Sequence, residues 1–278
     1  MSVANDERLL ADLTEVLSAV PGVRAIALGG SRARGTATPH SDYDIGLYYD
    51  GATPLDVAAL GRVATEIDDR GDEASVTPIG GWGPWIDGGG WLVVEEMRVD
   101  LLYRDLAKVS RVIDECHAGK VDVVYQPGHP HAFISSIYAG EVALCKVLHD
   151  PEGALAAQRA RLASYPEALR GELRRRFEWE AYFSLENAEK AKARADTTYI
   201  MGCVFRSIAC LCQSLHAIND VWLLNEKGAV AGVTRLARKP AVFAERVNMI
   251  LRDVSQASYA SGLERLDELI AEVRAITS

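Results

Sequence analysis

Apolar residues at Leu9, Leu13, Val16, Leu17 and Val20 recur at the spacing of one helical face, and Pro21-Gly22 ends the run. Beyond it the period shortens. Residues 23–28 read as a first strand, 31–37 as a short helix and 42–49 as a second strand, entered through a turn at 39–41. Leu55, Ala59, Val63 and Ile67 stand four apart and predict a helix over 54–69. Residues 91–94 and 98–103 form a predicted hairpin turning near Glu95-Glu96-Met97, followed by a helix over 105–117 and a short strand at 121–125. From residue 133 onward strand signals largely vanish. Helical periods recur at 133–148, 153–164, 167–194, 197–218, 240–252 and 258–276, and Ile200, Val204, Ile208, Leu211, Leu215 and Ile218 trace one apolar stripe. The pattern predicts an α+β chain. A small mixed-sheet domain over residues 1–130 precedes an all-α helical bundle over 131–278, and the QPGHPH segment at 126–131 marks the boundary.

Composition changes this picture little. At 278 residues, 49% hydrophobic and 25% charged, the chain has the balance of a soluble globular protein with room for a sizeable core. No apolar run approaches the roughly 20 residues of a membrane span. The opening MSVANDERLLADL lacks the basic lead and apolar core of a signal peptide, so the sequence predicts a cytoplasmic protein without a membrane partner. A net charge of −9 has the wrong sign for a nucleic-acid surface and suits a cationic small molecule, although acidity for solubility alone reads the same way. The five cysteines form no CxxC pair and predict no disulfide framework. His129 and His131 have no Cys or carboxylate at ligand spacing in the sequence, so zinc is not expected there.

The chemistry concentrates in residues 26–47, IALGGSRARGTATPHSDYDIGL. An apolar run ends in Gly29-Gly30-Ser31, about ten residues pass, and Asp42-Tyr43-Asp44 opens a second apolar run. On a strand, Asp42 and Asp44 share one face while Tyr43 points the other way. Two carboxylates so placed repel each other unless a cation faces them, and Mg²⁺ suits the site because it takes one or two carboxylates and keeps its other positions for water and phosphate. The glycines let backbone approach a ligand closely, and N–H groups opening the next helix point at an anion. Arg34, near that helix, could meet phosphate or solvent. Asp100, between apolar neighbours in Val99-Asp100-Leu101-Leu102, is a carboxylate that a strand buries at a cost unless it is paired or ligates metal. It is the expected third acidic residue, ahead of Glu95 and Glu96 in the turn.

Gly30-Ser31, the ten-residue gap, Asp42-x-Asp44 and Asp100 on a neighbouring strand resemble the signature of the DNA polymerase β-like nucleotidyltransferase superfamily. The resemblance is firm over roughly residues 23–104. It implies that Asp42, Asp44 and Asp100 hold one or two Mg²⁺, that Gly29, Gly30, Ser31 and Arg34 meet the phosphates of a nucleoside triphosphate, with ATP the donor expected by analogy, and that Asp100 helps deprotonate an acceptor hydroxyl. The order of a catalytic domain and then a helical bundle, with the total length, resembles aminoglycoside and lincosamide nucleotidyltransferases and implies a hydroxylated small-molecule acceptor. The same motif also resembles nucleotidyltransferases that modify a protein toxin or tRNA ends, and a nucleotide-binding pseudoenzyme is the non-catalytic alternative.

Further candidates surround this motif. Trp82, Trp85 and Trp91 in a Gly-rich stretch either cover the sheet edge or wall an acceptor pocket, with Trp85 as the acceptor-binding candidate. Glu178, Glu180 and Glu186 lie along one helix, either exposed or binding a cationic acceptor, and Arg174-Arg175-Arg176 reads as a solvated face. The segment NDVWLLNEK resembles the one in antibiotic adenylyltransferases that brings a lysine to the triphosphate, which makes Lys227 the matching residue.

Overall fold

The computed structural model describes residues 3–73 and 75–277. The chain forms two compact units, one of Met1–Asp114 with Tyr138–Ser164 and one of Glu115–Ile137 with Tyr165–Ser278. It is α+β: a mixed five-stranded sheet with helices, and a helical C-terminal region.

In chain order the elements are α1 (Val3–Ser18), β1 (Val23–Leu28), α2 (Gly30–Ala33), β2 (Tyr43–Tyr49), α3 (Val57–Ile67), β3 (Gly89–Val94), β4 (Met97–Asp105), α4 (Leu106–His117), β5 (Val123–Val124), β6 (Phe133–Ile134), α5 (Ile137–Leu144), β7 (Lys146–His149) and α6 (Ala154–Ala160). Then follow α7 (Glu167–Ala191), α8 (Thr197–Ile218), α9 (Ala229–Val233), α10 (Phe243–Ser255) and α11 (Tyr259–Thr277).

The first unit's sheet has the order β3-β4-β2-β1-β7, with β2 and β4 parallel and the other neighbours antiparallel. Alternation along the strands sends Tyr43, Ile45 and Leu47 of β2 and Val99, Leu101 and Tyr103 of β4 to one face. There they pack with Leu9, Leu13 and Leu17 of α1 and Leu60 and Ala64 of α3 into the core. Asp44 and Asp100 therefore point to the opposite face.

Two expectations need correction. The helical period over 133–148 breaks into β6, α5 and β7, and β7 pairs with β1 through Ala27↔Val147 and Leu28↔Lys146. The apolar spacing of this segment fits a helix locally, while the strand depends on hydrogen bonds to a partner about 120 positions earlier. The short helix is α2, four residues long, ending before Gly35 at φ +67°. The β3–β4 hairpin turns on Glu95 and Glu96, both at positive φ, a backbone that glycine usually supplies. Asp69 offsets that strain by accepting from both of their amides.

In the second unit α7 and α8 pack along their lengths, and α10 and α11 close the bundle. Asp196 caps α8 by accepting from the Tyr199 amide. By length and composition α8 could cross a membrane, but 72% of its most apolar window is buried inside the structure. The QPGHPH stretch is fastened within this unit by Glu226, which meets His129 and accepts from the amides of His131 and Ala132. Burial raises the Glu226 carboxyl, but those hydrogen bonds outweigh it and bring the pKa down to about 2.

Candidate active site

Parallel pairing sets Asp44 of β2 directly beside Asp100 of β4. Residues in register on adjacent strands share a face and lie about 4.8 Å apart. Asp42 lies just before β2 and meets Arg98, which shares Asp100's side of β4. All three are half-buried. Arg98 Nε lies 2.5 Å from Asp42 Oδ1, an ion pair without hydrogen-bond geometry, because the same oxygen is buried with no hydrogen-bond partner. An all-oxygen set of three half-buried acids, one of which already draws a guanidinium, fits a hard cation such as Mg²⁺.

The turn after β1 lies against this cluster. The Gly29 amide donates to the Asp44 carbonyl at 2.7 Å. Gly30 has φ +60°, and a Cβ there would sit 1.7 Å from Asp44 Oδ2. Only a residue without a side chain allows this approach, so the turn's backbone and the carboxylate form one cradle. Ser31 is half-buried beside it.

The two arginines of the motif separate in role. Arg32 caps the ring of Tyr43 at 3.7 Å, pairs with Asp6 and donates twice to the Ser41 carbonyl, which pins the loop leading into β2. Arg34 is exposed and donates to the Gly30 carbonyl at 3.0 Å, on the rim of the turn. Glu95 and Glu96 lie exposed in the hairpin turn, and Glu95 pairs with Arg8.

The same sheet face is closed farther along the strands. Arg104 of β4 makes two bonds to Glu141 of α5, at 2.7 and 2.8 Å, and lies over the Tyr138 ring. Sequence reasoning missed this pair, because no local pattern links residues 37 positions apart. Trp85 stands edge-on to Tyr138, and its carbonyl accepts from the Tyr138 hydroxyl. Trp91 is paired across β3–β4 with Asp100 and stacks on Trp82.

The helical unit places its candidates differently. Glu180 is buried, takes Arg206 Nε at 2.7 Å and meets His131 at 3.2 Å, and Cys210 approaches the same imidazole. Burial raises the Glu180 carboxyl, while His131 and Arg206 together outweigh it and bring the pKa down to about 2. His131, Glu180 and Cys210 are near enough to share a metal, a grouping the sequence hid by spreading them over 80 positions. Burial pushes the Cys210 thiol well up, and Arg206 already occupies Glu180. The cluster is therefore explained as a hydrogen-bonded core network. Glu180 also floors a groove of about 660 Å³ walled by Trp179, Phe183 and Tyr199. Glu178 is half-buried, with Oε1 lacking a hydrogen-bond partner. Lys227 is exposed in the turn before α9. Of the three arginines, Arg174 and Arg176 bond to backbone carbonyls, and Arg175 pairs with Glu172 on its own helix.

Residues 12–139 match the family model described as a nucleotidyltransferase domain. Among solved structures, the chain is similar to a nucleotidyltransferase-like protein from Exiguobacterium sibiricum 255-15. Identity there is 11%, coverage is 98% of this chain and 76% of that one, and the TM-score is 0.45. A comparison with curated proteins found no match.

Proposed function

Since residues 12–139 are a nucleotidyltransferase domain of the polymerase β-like superfamily and the protein is a nucleotidyltransferase, we propose that it moves a nucleoside monophosphate, AMP from ATP, onto a hydroxyl of a small molecule. The observation that carries this reading is the cradle in which a glycine turn lies against one of three carboxylates on a single sheet face.

Asp42, Asp44 and Asp100 would hold one or two Mg²⁺, which when bound neutralise charge on the triphosphate. Amides of Gly30 and Ser31 bind phosphate oxygens beside Gly29, whose own amide is held by the Asp44 carbonyl, and Arg34 adds charge from the rim. A carboxylate oxygen of Asp100 accepts the proton of the acceptor hydroxyl. The acceptor oxygen then bonds to the α-phosphorus, the bond from that phosphorus to the bridging oxygen breaks, and pyrophosphate leaves. Lys227 is a further triphosphate contact implied by family resemblance. Residues 1–130 carry the chemistry in this reading.

A small hydroxylated acceptor such as an aminoglycoside follows from the resemblance in domain order, and in the first unit Trp85 offers an aromatic wall suited to it. A cytoplasmic location, where nucleoside triphosphates are plentiful, goes with this reading. The acidic chain argues against tRNA as the acceptor.

The test is incubation with Mg²⁺, labelled ATP and a panel of aminoglycosides, following pyrophosphate. A labelled small product supports the reading. Label on protein or RNA from a lysate replaces it with macromolecular modification. Nucleotide binding without pyrophosphate release leaves a pseudoenzyme.

A further inference from the structure

Trp91 is 62% exposed although it lies within β3. Exposing so much indole leaves apolar burial unused, so its surroundings need an account. Its partner across the antiparallel pair is Asp100, and paired residues share a face, so the indole stands on the carboxylate side of the sheet. Trp82 stacks against it, with centroids 4.5 Å apart and planes at 25°. The sequence prepares this stack. Gly89 lies two residues before Trp91 on the same face, and a Cβ there would collide first with the Leu101 carbonyl oxygen, at 1.8 Å, and also come within 2.8 Å of the Trp82 ring. The glycine lets one indole lie down on the strand and brace the other.

The order of parts across the sheet then matters. The glycine turn follows β1, Asp44 lies on β2, Asp100 on β4 and Trp91 on β3, and β1-β2-β4-β3 are consecutive neighbours. In an in-line displacement the entering and leaving oxygens lie on opposite sides of the phosphorus. With the leaving pyrophosphate toward the β1 turn, the hydroxyl enters from the β4–β3 side. On the reading of the site as a nucleotidyltransferase centre, we infer that Trp91, braced by Trp82, is the platform on which the acceptor's ring stacks. The ring is a saturated six-membered one, glycoside or cyclitol, bearing the nucleophilic hydroxyl directly. A hydroxyl on the stacked ring reaches sideways by one ring radius plus a hydrogen bond of about 2.7 Å, which spans one strand spacing of about 4.8 Å to Asp100. The polarised C–H face of such a ring meets the electron-rich indole face. A hydroxyl carried on a separate ring or chain would overshoot.

The test uses full-length protein with ¹⁵N-labelled indoles, saturated with Mg²⁺ and a non-hydrolysable ATP analogue, and resonances assigned through Trp82→Phe and Trp91→Phe. Kanamycin and myo-inositol probe the saturated ring, and tyramine a phenolic one. The expected result is a saturable shift of the Trp82 and Trp91 signals with a saturated-ring probe. Trp91→Ala should weaken that binding at least tenfold, Trp91→Phe should largely restore it, and affinity for the ATP analogue should not change. Three results would overturn the inference: a shift with tyramine alone, no shift with any probe, or binding unaffected by Trp91→Ala. Failure of the wild-type protein to bind the ATP analogue would instead refute the nucleotidyltransferase centre itself.

Discussion

On β4, Asp100 and Arg104 point to the same side of the sheet, four residues apart, and meet opposite conditions. Arg104 is almost wholly buried, with its side chain 4% exposed, and its charge is met in a two-bond pair by Glu141. Burial lowers the Arg104 pKa, but the field of Glu141 overrides that and holds it raised. Asp100 instead lies in a row of three half-buried acids, beside which Arg98 meets Asp42 at the surface. One end of the face holds a dry ion pair, and the other is where the proposed reading seats a ligand's cation. A structural ion pair is dry, bidentate and covered by a helix. The acid cluster proposed as functional is half-buried and faces a backbone turn that leaves space where a side chain would be.

The sharpest way to break the comparison is to alter the open end. Asp44→Asn should lower transfer by roughly three orders of magnitude, about 4 kcal/mol of transition-state stabilisation, with unchanged circular dichroism and melting. Gly30→Ala should be as damaging, because its methyl would collide with Asp44 and φ +60° disfavours any side chain. Steady-state pyrophosphate release measures both. Full activity of Asp44→Asn would remove the metal assignment.

At the closed end the expected loss is in stability. Glu141→Leu strands the Arg104 guanidinium in the interior and should cost about 3–5 kcal/mol, read by urea denaturation. Arg104→Met with Glu141→Leu should recover most of that, since an apolar pair replaces the ion pair. If the single and double variants were equally unstable, the closed end would matter for shape rather than charge.

Much of the open end was legible in the sequence, and almost none of the closed end. The glycine turn, the Asp42/Asp44 spacing and Asp100 between apolar neighbours are local patterns, and β1 and α8 begin and end where their apolar periods do. β7 was not legible, because four residues that could continue a helix become a strand only when β1 supplies hydrogen bonds. The Arg104–Glu141 pair, Glu226 fastening residues 129–132, and Trp82 lying over Gly89 are likewise contacts between distant positions. Periodicity reports which face a residue takes. It does not report which residue waits there.

The helical unit extends the comparison to pH. Glu180 and Glu226 both have pKa values lowered to about 2 against an ordinary 4.5. A depressed carboxyl contributes stability that is fully present above about 4.5 and disappears as pH falls toward 2. Thermal melting followed across that window should show a decline that Glu180→Gln makes shallower while lowering stability at neutral pH. An unchanged slope would mean that His131 and Arg206 do not hold this carboxylate as a permanent pair.

The smallest effect belongs to Arg98, whose side chain is 67% exposed. An ion pair so open to water contributes about 0–1 kcal/mol, so Arg98→Ala should leave melting nearly unchanged. Its consequence lies in the competition for Asp42. With the guanidinium gone, Asp42 is freer to meet a divalent ion, and half-maximal transfer should need a few-fold less Mg²⁺ at a similar maximal rate. A magnesium titration of pyrophosphate release reads this directly. A fall in the maximal rate beyond about tenfold, roughly 1.4 kcal/mol, would instead mean that Arg98 meets the reacting phosphates, so that the open end would carry its own cation after all.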